Sequence, residues 1–368
     1  MSEEKLAKPD IGDAPLFPVH KFELSDWKDG IVIRSPNWLG DAVMTLPALL
    51  QLKKMVPRNC GLFVVCPPHL LDFFRSIPIV DFTINLHSAH KLWKLCEIDK
   101  VRRLHAGIAV LFNNSLRDTI YFRLTGIPRI FGASARGRDI MLTKSFKFPE
   151  SRKSELNKLH HASKYLAVAY ALGAAKWDGE LPEFRVQKEP ELMDASFVKI
   201  SSMPRLMTIA AGAAYGESKR WPAEFFNRTA GFWAENGGNI AVLGSPKEKE
   251  IGDKVIEGLP SGKAYNLAGK TDISELIQIL KKSEICVAND SGIMHLSAAV
   301  GGRGIAIFGS TDPSATSPVS AKWKVLFEKE YCAPCFKREC LKKVSPYTCL
   351  KKITPSKVIS AIEDLLKK

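Results

Sequence analysis

The chain has no run of apolar residues approaching the roughly 18 that a membrane-spanning helix needs, which excludes a helical membrane protein. It also lacks both common nucleotide-phosphate signatures. No GxxxxGK[ST] string occurs, and "GGRGIAIFG" (301–309), the nearest approach to a dinucleotide fingerprint, precedes an apolar run instead of joining a strand to a helix. Both absences count against P-loop ATPase and hydride-transfer chemistry. Residues 1–28 carry no apolar core of a secretion signal, so the expectation is a cytoplasmic protein whose residues 1–28 form a flexible N-terminal tail. Acidic residues are in short supply: 39 Asp and Glu face 53 Lys and Arg, for a formal net charge of +14. That excess favours an acidic partner, whether nucleic acid, an anionic membrane surface or a phosphorylated small molecule, and composition does not choose among them.

What is present is a chain of 368 residues, 45% hydrophobic, long enough for two cores. Short apolar runs alternate with longer amphipathic stretches from end to end, the pattern of α/β layering around parallel sheets. In the first half the strand candidates are "GIVIRS" (30–35), "CGLFVVCP" (60–67), "VDFTINL" (80–86), "AGIAVLF" (106–112) and "RIFGAS" (129–134). In the second they are "RLMTIAAGA" (205–213), "NIAVLGS" (239–245), "AYNLAG" (264–269), "EICVAND" (284–290) and "GIAIFGS" (304–310). The stretch 150–174 reads as a polar start followed by a helix, and 176–191 as a charged, Pro-containing connection. The division is therefore 29–190 and 191–354, with a last helix over 355–368. Two such domains meeting across a cleft would gather strand C-termini around one ligand, so residues just after strands are the informative ones.

Four post-strand turns stand out. In "SPNWLGDAVMTLP" (35–47), Asn37, Gly40 and Asp41 open a helix; Asp41 is either its N-cap or a carboxylate that takes a proton from a hydroxyl. In "AAGAAYGESKRWP" (210–222), small residues allow close backbone approach, and Ser218, Lys219 and Arg220 offer donors to a phosphate unless they are a solvated surface pair. "NDSGIMHLSAAVG" (289–301) opens a helix near Ser291, and the free N–H groups of such a first turn suit a diphosphate, with His295 adding a donor. Charge repulsion makes a sugar hydroxyl the better partner for Asp290, while plain capping by Asp290 or Ser291 is the alternative. "GSPKEKE" (244–250) places Glu248 within reach of hydroxyls or merely at a charged helix start.

The strings "RSPNWLGDAVMTLPAL", "GAAYGESKRWP", "GSPKEKE", "AGKTDISELIQILKKSEICVANDSGIMHLSAAVG" and "IFGSTDPSATSP", in this order over roughly residues 30–356, resemble glycosyltransferase family nine, the ADP-heptose:lipopolysaccharide heptosyltransferases, and within it the heptosyltransferase II branch. The resemblance implies a GT-B fold, two Rossmann-like domains with parallel sheets facing a central cleft, acceptor on the first and nucleotide-sugar on the second, and a last helix that packs back on the first. It implies Asp41 as general base, Lys219 at the donor phosphates, Gly292, Met294 and His295 at the diphosphate-facing helix start, and Asp290 and Glu248 at the donor sugar; Ser218, in the turn of Lys219, is a further donor-phosphate candidate by its hydroxyl. Asn37, Gly40, Arg117 and Arg136 are acceptor-side candidates. The reaction implied is inverting transfer of heptose from ADP-heptose to a lipid A-core acceptor, with no obligatory cofactor, as no Asp-x-Asp metal site is in evidence. The basic charge would then serve an anionic acceptor or the inner membrane through Arg117, Arg123, Arg136 and Arg138.

"CAPCFKRECLKKVSPYTC" packs Cys332, Cys335, Cys340 and Cys349 into one segment (332–349). Four thiolates so close could hold a structural zinc, remain reduced, or pair as disulfides. The contrasting function is a basic, zinc-stabilised nucleic-acid-binding protein. Against it, stacking aromatics near this segment are few (Tyr331, Phe336, Tyr347), and the post-strand residues would be left unexplained. No nucleic-acid partner is therefore expected.

Overall fold

The computed structural model describes residues 17–88, 91–148, 159–186 and 195–367. They fall into two compact units, one of residues 17–88, 91–148 and 161–185, the other of 159–160, 186 and 195–367. The boundary expected between 190 and 191, and the polar start expected over 150–158, lie outside the described residues.

The first unit is a six-stranded sheet, β1 Gly30–Arg34, β2 Gly61–Cys66, β3 Phe82–Asn85, β4 Ile108–Leu111, β5 Arg129–Ala133 and β6 Lys144–Phe146, in the order β3-β2-β1-β4-β5-β6. The second repeats the plan with β7 Leu206–Ala210, β8 Asn239–Val242, β9 Ala264–Asn266, β10 Ile285–Asn289, β11 Gly304–Phe308 and β12 Trp323–Phe327, in the order β12-β11-β10-β7-β8-β9. Every pairing is parallel, and each unit has the strand order of a doubly wound nucleotide-binding sheet. β1, β7, β10 and β11 are buried along their whole length, as strands covered by helices on both faces must be. All ten expected strands are present. β6 and β12 were not expected: β6 is three residues long, and lysines interrupt the apolar run at both, Lys144 in β6 and Lys324 in β12.

One expectation needs correction. Residues 17–28 are not a free tail: Phe17 packs on Phe146 and Phe148, Phe22 on Phe131 and Trp27, and Trp27 is buried. Their aromatic side chains carry enough apolar area to hold the segment on the first unit. The last helix, Pro355–Leu366, belongs to the second unit. Its apolar stripe Val358, Ala361, Ile362 and Leu365 lies in the second unit's own core, against the Ala223–Glu235 helix and β11.

Candidate active site

In the second sheet the order reverses between β7 and β10, and an open parallel sheet offers its ligand crevice at the C-terminal ends of such a pair. After β10 the chain passes through Asp290 and Ser291 into the helix Gly292–Ala299, where Ser291 is the N-cap and its Oγ accepts from the Met294 amide at 3.4 Å. The amides of Gly292 and Ile293 belong to a first turn that a helix cannot satisfy internally. Lys219, from the loop after β7, puts Nζ 2.6 Å from Asp290 Oδ2, and Thr311 Oγ1 donates to the same oxygen at 2.7 Å. Asp290 is only 5% exposed. Burial alone would raise its pKa, but Lys219 foremost, then His295 and Thr311, hold it below the usual carboxylate value, so the group is an anion.

Asn289 supplies the scaffolding. Its Nδ2 donates to the Ala211 carbonyl at 2.7 Å and its Oδ1 accepts from the Trp221 amide at 3.0 Å, pinning both ends of the loop that bears Lys219 to β10. Asn289 and Thr311 escaped the sequence reading, although both are polar residues at the ends of fully apolar strands.

The other residues expected here divide. His295 is buried beside Asp290. Met294 is a core residue whose amide is taken by the cap, a correction to its expected phosphate-facing role. Ser218 is corrected as well: its Oγ donates to the Lys337 carbonyl and shares a 2.9 Å hydrogen bond with Ser310 Oγ, and its amide donates to the Arg338 carbonyl at 3.1 Å. A hydroxyl so committed is a latch, not a phosphate ligand. Glu248 closes a capping box, Oε2 accepting from the Ser245 amide and hydroxyl at 2.8 Å each. Its carboxylate also lies against Gly212, where an added Cβ would have to displace it.

The first sheet has its own reversal between β1 and β4. Asp41 lies in the first turn of the helix Leu39–Met44, but Trp38 holds the cap position, so the capping alternative falls away. Asp41 Oδ1 is 3.5 Å from Nδ1 of His161, and the pair is partly exposed. His161 begins the helix His161–Ala171, which also brings in Tyr165, whose phenol pKa is raised by burial first and by the Asp41 charge second. Gly40 shares the turn with Asp41, and Asn37 Oδ1 accepts from Arg34 at 2.8 Å.

Arg34, the last residue of β1, is fully buried: its Nε donates to Asp118 Oδ2 at 2.8 Å and its Nη1 to the Ser35 carbonyl at 2.6 Å. Burial lowers its pKa and Asp118 opposes the shift. This ion pair fixes the turn from β1 into the Asp41 helix. Arg34, Asp118, His161 and Tyr165 were all missed; a lone arginine ending "GIVIR" is the one legible signal.

Among the arginines, Arg117 reaches Asp118 at 3.5 Å, and Arg136 is exposed on a loop with φ 51°. Arg138 is buried, with Nε and Nη1 on the Ala133 and Asn113 carbonyls, and burial brings its pKa down to about 10 against Asp139 and Asp118. Arg123 donates to the Met141 carbonyl at 2.6 Å. Arg138 is thus withdrawn from any anionic surface, and Arg123 is largely occupied by backbone.

The four clustered cysteines are free thiols. Cys340 Sγ accepts from the Tyr347 amide at 3.3 Å, and Cys349, pushed up to about 11 by burial first, packs against the second core. Among the described residues no three His, Cys, Asp or Glu side chains gather so as to hold a metal ion. The segment does closely support the loop bearing Lys219: besides the Ser218 contacts, Tyr215 Oη donates to the Phe336 carbonyl at 2.7 Å and Tyr347 Oη to Glu217 at 3.0 Å.

Residues 97–345 match the family described as glycosyltransferase family 9 (heptosyltransferase). Lipooligosaccharide heptosyltransferase 2 of Haemophilus influenzae is 27% identical over 310 residues, 80% of this chain and 88% of that protein. Lipopolysaccharide heptosyltransferase 2 of Escherichia coli K12 is 24% identical over 314 residues, 80% of this chain and 87% of that one. Among solved structures, a family 9 glycosyl transferase from Veillonella parvula superposes with a TM-score of 0.80 at 23% identity, covering 95% of this chain and 99% of that one. The ADP-heptose LPS heptosyltransferase II of E. coli gives 0.74 at 22% identity, with 92% and 98% covered. These two likenesses establish the fold.

Proposed function

The chain belongs to glycosyltransferase family 9, the heptosyltransferases, and from that premise we propose that it transfers heptose from ADP-heptose to the lipopolysaccharide inner core, inverting the anomeric centre. The observation that carries this reading is the donor constellation of the second unit: a buried anionic Asp290 bracketed by Lys219 and Thr311 beside the open helix start at Ser291. A diphosphate needs a cation and free amides, which Lys219, Gly292 and Ile293 supply, while Asp290 and Glu248 accept from sugar hydroxyls.

In the proposed displacement Asp41 removes the proton of the attacking acceptor hydroxyl, with His161 beside it to orient the carboxylate and share the proton. The new bond forms from acceptor oxygen to anomeric carbon as the bond to the ADP oxygen breaks. Charge growing on the leaving diphosphate meets Lys219 and the helix amides, and preorganised donors of this kind are worth about 3 kcal/mol each. The mechanism requires Asp41 and the donor to meet in the ternary complex. It uses no divalent cation, and the reading includes peripheral contact with an anionic membrane, where a lipid A-core acceptor resides.

The test is product analysis with two acceptors, a core oligosaccharide ending in the first heptose and one lacking it. ADP-heptose-dependent mass gain on the former alone supports the reading. Donor binding with no gain on either would remove the acceptor assignment, and no donor binding would remove the whole.

A further inference from the structure

We propose that the outer faces of the Leu95–Arg102 and Leu116–Leu124 helices form the surface by which the protein rests on an anionic lipid bilayer; this deepens the reading above, which supplies the membrane-borne acceptor. Leu116, Ile120 and Leu124 recur every four residues, so they line one face of their helix, and all three are exposed while Thr119 and Phe122 fill the core behind them. Trp93 stacks on Tyr121 of that helix, rings 5.3 Å apart and 11° from parallel, which clamps the preceding loop beside the stripe. There Leu92 and Leu95 stand 74% and 85% exposed. Arg102 donates to the Leu124 carbonyl at 3.1 Å, joining the C-terminal ends of the two helices. At the same end Arg123 holds the Met141 carbonyl, bringing in the adjacent Ile140, which is 93% exposed.

Single exposed leucines are ordinary, but six large aliphatic side chains gathered on one surface are not. The surrounding charge says what covers them. Residues 91–124 contain seven Lys and Arg against three Asp and Glu. Glu97 and Asp118 are buried, and Asp99 is held by Arg102 and Arg103. Among the described residues of 91–124 exposed carboxylate is therefore scarce, Asp139 beside Ile140 is engaged by Ser145 and Ser134, and the exposed Lys91, Lys94 and Lys100 can meet headgroups beside the apolar ridge. Apolar residues ringed by lysine describe an interfacial surface on acidic lipid.

The experiment is co-sedimentation of the full chain with vesicles of phosphatidylcholine, with or without phosphatidylglycerol. Wild type is expected on the phosphatidylglycerol vesicles only. Leu95→Asp with Ile120→Asp should lower the partition at least about tenfold, and Lys91→Gln with Lys94→Gln roughly fivefold per lysine, while turnover of a lipid-free core acceptor is unchanged. Failure of wild type to bind, or binding by both variants at the wild-type level, overturns the proposal. So does a wild-type dimer that Leu95→Asp with Ile120→Asp separates, which would make the face a contact between copies. Vesicle binding by a protein inert toward ADP-heptose would leave the surface standing and remove heptose transfer.

Discussion

Replacing Lys219 by methionine keeps the length of the side chain and removes its charge, and two consequences follow from one ion pair. The 2.6 Å contact joins two side chains that are 13% and 5% exposed, so solvent screens it little. Removing one partner of a buried pair costs about 3–5 kcal/mol, because the other charge is left without compensation. Thr311 and His295 remain on Asp290, which puts the expected loss at the lower end, about 3 kcal/mol. The pH dependence has a definite sign. Asp290 titrates below its ordinary value in the folded state, so its contribution is present above the unfolded carboxylate value of about 3.9 and is lost as pH falls through the folded value. The stability deficit of Lys219→Met is therefore full at neutral pH and narrows below about pH 4. In turnover the same change removes the cation facing the leaving diphosphate, and kcat should fall about 10²-fold. Urea unfolding at pH 7 and at pH 3.5, together with steady-state ADP release, reads both effects. A variant with kcat within threefold of wild type and an unfolding midpoint unmoved at pH 7 would refute the reasoning.

Other outcomes are specific. Asp118→Ala strands the fully buried Arg34 and should cost about 3–5 kcal/mol in thermal unfolding, whereas an exposed-pair change such as Asp72→Ala should cost under about 1 kcal/mol. Ser218→Ala should lose about 1–3 kcal/mol of stability by leaving the Lys337 carbonyl without its partner, with a much smaller fall in kcat than Lys219→Met; equal losses of kcat would restore Ser218 as a phosphate ligand. Turnover in excess EDTA should match that in buffer alone, and activity abolished by chelation and restored by magnesium would contradict the proposed displacement.

The doubly wound sheets were legible because parallel strands buried on both faces read as unbroken apolar runs, and "IVI", "LMTIA" and "ICVA" could be little else. Asp41, Lys219 and Asp290 were legible as polar residues set just past such runs. What escaped was long-range pairing: nothing local to Asp118 says that it serves Arg34, and nothing local to Ser218 says that its hydroxyl is taken by a carbonyl more than a hundred residues later. The arginines mislead in the same way. Arg138 looks like surface charge in sequence, yet its five donors are better used on carbonyls around a buried turn. The cysteines show the limit of spacing, which puts four thiols in one short segment and does not say whether they bind metal, pair or stay reduced.

The central claim is that a carboxylate at the first switch point drives transfer from a donor held at the second. The most direct test compares wild type with Asp41→Ala for acceptor-dependent ADP release from ADP-heptose, with donor affinity measured in both by calorimetry. Loss of at least about 10²-fold in turnover with donor affinity unchanged is the predicted result. Turnover retained within a few-fold, or lost only together with donor binding, would contradict the assignment of Asp41 as the base.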